Sequence, residues 1–348
     1  MGMEATRIPQ LVDFVDRLVA TGEVSAAAVA VADEQRTSYA TAGWQQPEWA
    51  GKGNRASPVS RRTEFDLASL TKPFTATAAL LLEQRGEMKL ETRLGDLLPD
   101  LPRVVSDQPL QALLRHRAGL IPWFPFYCDG TTDIEPERFA DGGLWGPVPG
   151  DEEDGMYSDL GPILWSLLAR RAGYSVLDVL RGTIEPLPTY APDPTSTAGT
   201  HLSNQREVEL AERLGIEVPE SSKTLLGKPQ DGNARLIAMP GHAGLFGGLA
   251  SVLSLGREWL APSHMSLDSV DSALSTSGRH ALGWWRGREE LEGLGREAFG
   301  HNGFTGCSLW LSPIRNRVMV MLAHRTSLSD TLAQARREFH RLAITLKI

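Results

Sequence analysis

The chain has 348 residues, of which 41% are hydrophobic and 22% charged, and its formal net charge is −8. That balance is the one soluble globular proteins show. It excludes disordered and membrane-spanning classes, and the acidic charge argues against a nucleic-acid or anionic-membrane partner. The length suits two or three average domains, or one large domain split by an insertion.

Residues 9–21 place Leu11, Phe14, Val15 and Leu18 at helical spacing, and Gly22 ends that helix. The small and β-branched run 24–31, the turn Asp33-Glu34-Gln35-Arg36 and the run 37–44 predict a hairpin. Gly, Pro and polar residues over 45–60 predict a loop. Phe65-Asp66-Leu67-Ala68 reads as a short extended entry to a long helix over 69–84 that stops at Gly86. Pro73 falls in the first turn of that helix, where a missing N–H costs little.

Over 90–230 the pattern changes to many prolines, short helical patterns at 110–115, 161–172 and 175–180, and long irregular links, with no alternating strand. Strand signals return after Pro240, following which 249–260 is helical in pattern and 282–286 is a short aromatic strand. Runs 304–311 and 318–322, joined by the turn segment 312–317, predict a second hairpin. An amphipathic helix over 330–346, with Ser329 as its expected cap, closes the chain. The expected fold class is therefore α+β. An antiparallel sheet flanked by helices is built from both chain ends, 1–90 and 232–348, with an inserted mostly helical domain over 91–231.

Two distant cysteines, Cys128 and Cys307, form no disulfide framework and no Cys-x-x-Cys pair, and are expected as buried free thiols. No His-x-x-x-His or Glu-x-x-His pairing occurs, so neither a metal nor a cofactor is expected. Glu4, Arg7, Pro9, Asp13 and Asp16 interrupt the place of an apolar leader core. Taken at face value this predicts a cytoplasmic protein, or a periplasmic or secreted one if a leader precedes it. The expected partner is a small acyl substrate, with no obligate protein partner, nucleic acid or membrane.

Three motifs carry chemistry. Ser69-Leu70-Thr71-Lys72 puts a hydroxyl and an amine three residues apart on one helix face. A free lysine is a poor base at neutral pH, so desolvation or a neighbouring cation would have to lower its pKa. Tyr157-Ser158-Asp159 follows the acidic, Gly-rich loop 150–155 and precedes a helix. A tyrosine there can pass protons between the serine and a leaving group. His301-Asn302-Gly303 comes before the predicted strand, where a glycine lets substrate approach the backbone. The N–H groups of Phe304 and Ser69 would then serve as oxyanion donors. Tyr127-Cys128-Asp129 and His242-Ala243-Gly244 are competing matches, the latter leading into a helical pattern.

The order and wide spacing of Ser-x-x-Lys, a Tyr element and a Lys-Thr-Gly-like element are those of penicillin-binding proteins and serine β-lactamases. The chain resembles the class C β-lactamase-like family: β-lactamases, D-Ala-D-Ala carboxypeptidases and related esterases. Supporting stretches are 65–76, 113–120, 241–247 and 299–313. The resemblance implies a cleft between the sheet domain and the helical domain, with Ser69 as nucleophile, Lys72 as base and Tyr157 as proton relay. It also implies Asp159, His301, Asn302 and Gly303 as substrate contacts, and a structural Gly-rich turn over 240–248.

Two positions depart from the family pattern. Asp159 stands where many relatives carry asparagine, and an ionised aspartate only accepts hydrogen bonds. His301 stands in place of lysine and, mostly neutral at pH 7, recognises a substrate carboxylate less well. Both favour an ester or another acyl substrate over penicillins and D-Ala-D-Ala peptides. The run Trp123-Phe124-Pro125-Phe126-Tyr127 fits either the wall of an apolar acyl pocket or plain core packing. The expected function is an esterase-like or amidase-like serine hydrolase. The alternatives are a β-lactamase or D-Ala-D-Ala carboxypeptidase, and a non-hydrolytic penicillin-binding or sensor protein on the same fold.

Overall fold

The computed structural model describes residues 5–46, 57–130, 133–150, 154–201, 204–218, 224–287, 294–327 and 329–348. The expected loops over 45–60 and 150–155 lie partly outside these residues.

A seven-stranded sheet joins the two chain ends in the order β1-β3-β2-β11-β10-β9-β8. The N-terminal part supplies β1 (Ala5–Arg7), β2 (Val24–Ala32) and β3 (Thr37–Gly43). The C-terminal part supplies β8 (Trp285–Arg286), β9 (Phe299–Asn302), β10 (Ser308–Ser312) and β11 (Arg317–Arg325). The ends meet where β2 runs antiparallel to β11, with Ala32 opposite Val318. The first hairpin forms as expected, its turn held by the Asp33 carboxylate, which accepts the Gln35 N–H at 2.8 Å and the Arg36 N–H. One pairing departs from expectation: β1 lies parallel to β3, so the sheet is mixed.

Side chains of β2 alternate between two cores, as the period of two in a strand requires. Val24, Ala27, Val29 and Val31 face helix α1 (Pro9–Ala20) and the C-terminal helix Thr331–Thr345, through Leu11, Phe14, Val15, Leu332 and Phe339. Ala26, Ala28, Ala30 and Ala32 face the opposite core. There the small side chains let the helix Leu249–Leu260 lie close to the sheet. Gly256 marks the nearest approach, since a Cβ there would lie 2.4 Å from Val318 Cγ1. Gly256→Ala should therefore destabilise by about 1–3 kcal/mol through overpacking, although the same change in an exposed helix gains about 1 kcal/mol. Thermal melting checks this, and adding Val318→Ala should recover most of the loss.

The second core continues from the sheet into the middle of the chain. It includes helix α2 (Thr71–Gln84), the helix Leu160–Arg171 and Leu113 of the short helix Gln111–Leu114. Between 91 and 231 the described residues hold short helices and 3-10 turns. The one strand pair there is β5 (Thr200–His201) with β6 (Thr224–Leu225).

Three local expectations are corrected. The strand expected over 304–311 begins only at Ser308, because Gly303 N–H donates to Cys307 O at 2.7 Å and closes a turn. Ser329 does not cap the last helix. Its hydroxyl donates to Glu23 at 2.6 Å, and Asp330 occupies the cap position without a side-chain bond. Of the two thiols, Cys307 is buried but Cys128 is exposed.

Candidate active site

The segment leading to Ser69 is fixed before the helix begins. β4 (Phe65–Asp66) pairs with β7 (Phe246–Gly247), and Leu67 N–H donates to Leu245 O at 2.9 Å. Ala68 then takes φ +45°, a left-handed conformation that non-glycine residues rarely adopt and that persists only where the surroundings enforce it. The enforcing group is Asp66: one carboxyl oxygen accepts the Ala68 N–H at 2.9 Å and the other the Gln230 N–H at 2.7 Å. Burial outweighs those bonds and pushes the Asp66 pKa up to about 6. Ser69 accordingly sits on a 3-10 turn (Ala68–Leu70) ahead of α2, one step outside the α-helix that was expected to start with it.

Lys72, in the first turn of α2, is wholly buried. Its Nζ donates to Ser69 Oγ at 2.9 Å, to Asp159 Oδ1 at 2.7 Å and to the His242 carbonyl at 3.1 Å. Burial alone would lower the pKa of the ammonium. The Asp159 carboxylate, followed by Tyr157, outweighs it and holds the Lys72 pKa above its ordinary value. The expectation of a lowered lysine is thus corrected: the neighbour is an anion, not a cation.

Tyr157 approaches Ser69 from the other side, its hydroxyl 3.1 Å from Ser69 Oγ. Its ring sits among His116, His280, Trp285 and His301, with centroid distances of 4.5, 6.0, 5.8 and 5.9 Å. Burial raises the phenol's pKa, Lys72 pulls it back, and Asp159 adds to the rise. The backbone around Tyr157 is pinned: His116 Nδ1 accepts the Ser158 N–H at 3.2 Å, Ser158 Oγ donates to Ile121 O at 2.6 Å, and Asp159 N–H donates to Pro122 O at 2.9 Å.

The third motif divides. His301, on β9, is fully buried, and burial followed by the nearby Lys72 charge holds it well below the ordinary histidine pKa. Its Nδ1 lies 3.0 Å from the Asn302 carbonyl, which can only accept. Nδ1 therefore carries the hydrogen and Nε2 is left as an acceptor, buried and without a protein partner. Asn302 points to the other face of the sheet, where its Oδ1 accepts from Trp310 Nε1 at 3.0 Å. This corrects its expected role as a substrate contact, for strand alternation cannot send both side chains to one face.

Gly303 and Phe304 lie in the β9–β10 turn, which is bolted to the Ser69 segment. Thr305 Oγ1 donates to Asp66 O at 2.6 Å, and a Cβ on Gly303 would lie 2.6 Å from Leu67 O. Only glycine allows that approach.

The competing tyrosine is excluded by position, since Tyr127 donates its hydroxyl to Glu207 at 2.7 Å. The aromatic run around it is packing. Trp123 is buried with Ala211 and Val218, and Phe126 stacks on Phe139 at 5.7 Å. The competing histidine contributes after all, through its backbone, while its buried ring holds Asp231 Oδ1 at 3.0 Å from Nε2. A backbone carbonyl leaves no mark in a sequence, so this contact was not legible there.

Among the described residues no helix is long and apolar enough to cross a membrane. The family model named Beta-lactamase matches residues 11–343. The N-acetylmuramyl-L-alanine amidase of Bacillus subtilis (strain 168) is 25% identical over 354 residues, covering 90% of this chain and 79% of that protein. Among solved structures, EstCE1, a hydrolase with promiscuous acyltransferase activity, superposes with a TM-score of 0.71 at 14% identity, over 94% of this chain and 96% of the other. The class C beta lactamase from Rhodobacter sphaeroides gives a TM-score of 0.67 at 20% identity, over 95% and 97% of the two chains. With its family match spanning nearly the whole length and a serine–lysine pair at the junction of sheet and helices, the chain belongs to the beta-lactamase family, whose members are hydrolases working through a serine acyl-enzyme.

Proposed function

We propose that the protein hydrolyses an ester or amide of a small acyl group through an acyl-enzyme on Ser69. The observation that carries this is Ser69 Oγ standing 2.9 Å from the Lys72 amine and 3.1 Å from the Tyr157 hydroxyl. Once Lys72 is a free amine, it takes the Ser69 proton as Oγ attacks the acyl carbon. The negative charge on the carbonyl oxygen meets the N–H groups of Ser69 and Phe304, held side by side by the bolted turn. Tyr157 gives its proton to the departing oxygen or nitrogen and recovers one from Lys72 through Ser69 Oγ. Water then repeats the sequence in reverse and frees the acid.

The substrate class follows from charge. The Lys72 ammonium already has three acceptors, and His301 is held neutral by burial. No cation at either position is left to bind a carboxylate beside the scissile bond, as β-lactams and D-Ala-D-Ala peptides carry. The buried acceptor Nε2 of His301 and the carboxylate of Asp159 suit a substrate with N–H or O–H donors. The esterase and amidase names of the relatives support the same classes.

The test is a panel of aryl esters and anilides, each with and without a carboxylate next to the acyl group, together with a chromogenic cephalosporin. The neutral compounds should be turned over at least about tenfold faster in kcat/KM, which is ~1.4 kcal/mol of missing charge recognition. Preference for the carboxylates or the cephalosporin would favour the β-lactamase reading instead.

A further inference from the structure

We propose that Asp159 is a lock on Lys72: its carboxylate keeps the lysine as an ammonium ion, so that Ser69 is activated only after that proton has left, and Asp159 thereby sets the pH at which the enzyme works. This rests on the acyl-enzyme assignment above and deepens it. It replaces the sequence expectation that Asp159 chiefly contacts substrate.

The lock is geometric. Asp159 Oδ1 lies 2.7 Å from Lys72 Nζ, with the lysine side chain 1% exposed and the aspartate 21% exposed. Asp159 is the residue before the helix Leu160–Arg171, and its own N–H is held by Pro122 O at 2.9 Å. The carboxylate therefore cannot swing aside without unpinning the turn that carries Tyr157.

The groups facing Lys72 favour the cation. Asp159 touches it, and Asp231, tied to the His242 ring, is close enough for the two charges to be felt. Tyr157 faces it through its ring, with Nζ 5.0 Å from the centroid. His116 and His301, the basic groups on the other neighbouring elements, are both held well below the ordinary histidine pKa by burial. No neighbouring positive charge opposes the ammonium.

Release needs no rearrangement. A neutral amine has two N–H donors and one lone pair. The two donors can stay on Asp159 and the His242 carbonyl, while the lone pair accepts the Ser69 O–H across the same 2.9 Å. Only a proton leaves, to solvent base, and no other bond changes. The sign follows. With the carboxylate present, the reactive amine forms only on the alkaline side, and activity rises with pH. With a neutral amide in its place, burial dominates and favours the free amine, so the rise moves to lower pH.

The experiment measures kcat/KM for a neutral aryl ester from mildly acidic to alkaline pH with wild type, Asp159→Asn, Asp159→Glu and Ser69→Ala. Wild type should rise toward alkaline pH. Asp159→Asn should show its rising limb at least about one unit lower, tenfold in relative activity at the wild-type midpoint. Asp159→Glu, which keeps the charge, should stay near wild type, a rescue that a merely structural role would not produce. An unmoved or upward-shifted limb in Asp159→Asn overturns the lock. If Asp159→Asn does not fold, wild type alone decides. Labelling of Ser69 by a fluorophosphonate should rise with pH over the same limb, and labelling that is already complete and pH-independent below neutrality overturns the proposal. Failure of the acyl-enzyme assignment would look different, because Ser69→Ala would then keep its turnover.

Discussion

Ser69→Ala is expected to lower kcat on a neutral aryl ester by roughly 10^4-fold or more, with little change in KM, because removing the nucleophile from a unit that acts together removes nearly all of its advantage. The side chain is small and sits on a turn held by other groups. Leu67 bonds Leu245 O, Ala68 bonds Asp66, and Asp66 bonds Gln230, none of them through the Ser69 hydroxyl. The melting temperature should therefore stay close to wild type. The variant does lose an acceptor for Lys72 and for Tyr157. Tyr157 is near the opening and can bond water instead. Turnover equal to wild type would remove Ser69 from the mechanism, whatever else the site does.

Lys72→Met should act nearly as strongly, for a different reason. It keeps the volume of the stem and removes the one amine within reach of Ser69 Oγ. Loss of a positioned base costs roughly 10^2 to 10^4 in rate, so we expect a fall of about 10^3-fold in kcat. The fold should survive with a cost of about 1–3 kcal/mol, below the roughly 3–5 kcal/mol seen when a fully buried charge loses its partner. The difference comes from Asp159, whose side chain is 21% exposed and can be rehydrated. Circular dichroism with thermal melting, measured beside the ester assay, separates the two effects. Near-wild-type turnover would make Tyr157 the base.

Much of this was legible in the sequence because its signals are periodic or local. The apolar spacing of Leu11, Phe14, Val15 and Leu18 marks α1, and the β2–β3 hairpin is written in its flanking runs and in Asp33. Ser69, Lys72, Tyr157 and His301 could be picked out by type and order, and the structure gathers all four around one hydroxyl. What sequence could not show was set by tertiary placement. Nothing local says that Asp159 reaches across 87 positions to Lys72, turning an expected substrate contact into an ion pair and reversing the expected direction of the lysine's pKa. The His242 carbonyl, the imidazole of His116 under Ser158 and the ring of Trp285 beside Tyr157 are contacts of backbone or of aromatic bodies, with no motif of their own. The error at Asn302 is one of parity: it sits one residue from His301 and so on the opposite face, bound to Trp310. The late start of β10 has the same origin. Gly303 and Thr305 are held by Leu67 and Asp66, far away in sequence, and that attachment shapes a turn where the residue types alone read as strand.

The central claim, an acyl-enzyme on Ser69, is tested most directly by intact-protein mass spectrometry. Wild type and Ser69→Ala would be treated with a fluorophosphonate, or quenched in acid during turnover of a slow aryl ester, followed by peptide mapping. The account predicts one adduct per chain in wild type, on the peptide containing Ser69, and none in Ser69→Ala. An adduct at another residue, or ester turnover by wild type with Ser69 never acylated, would contradict it.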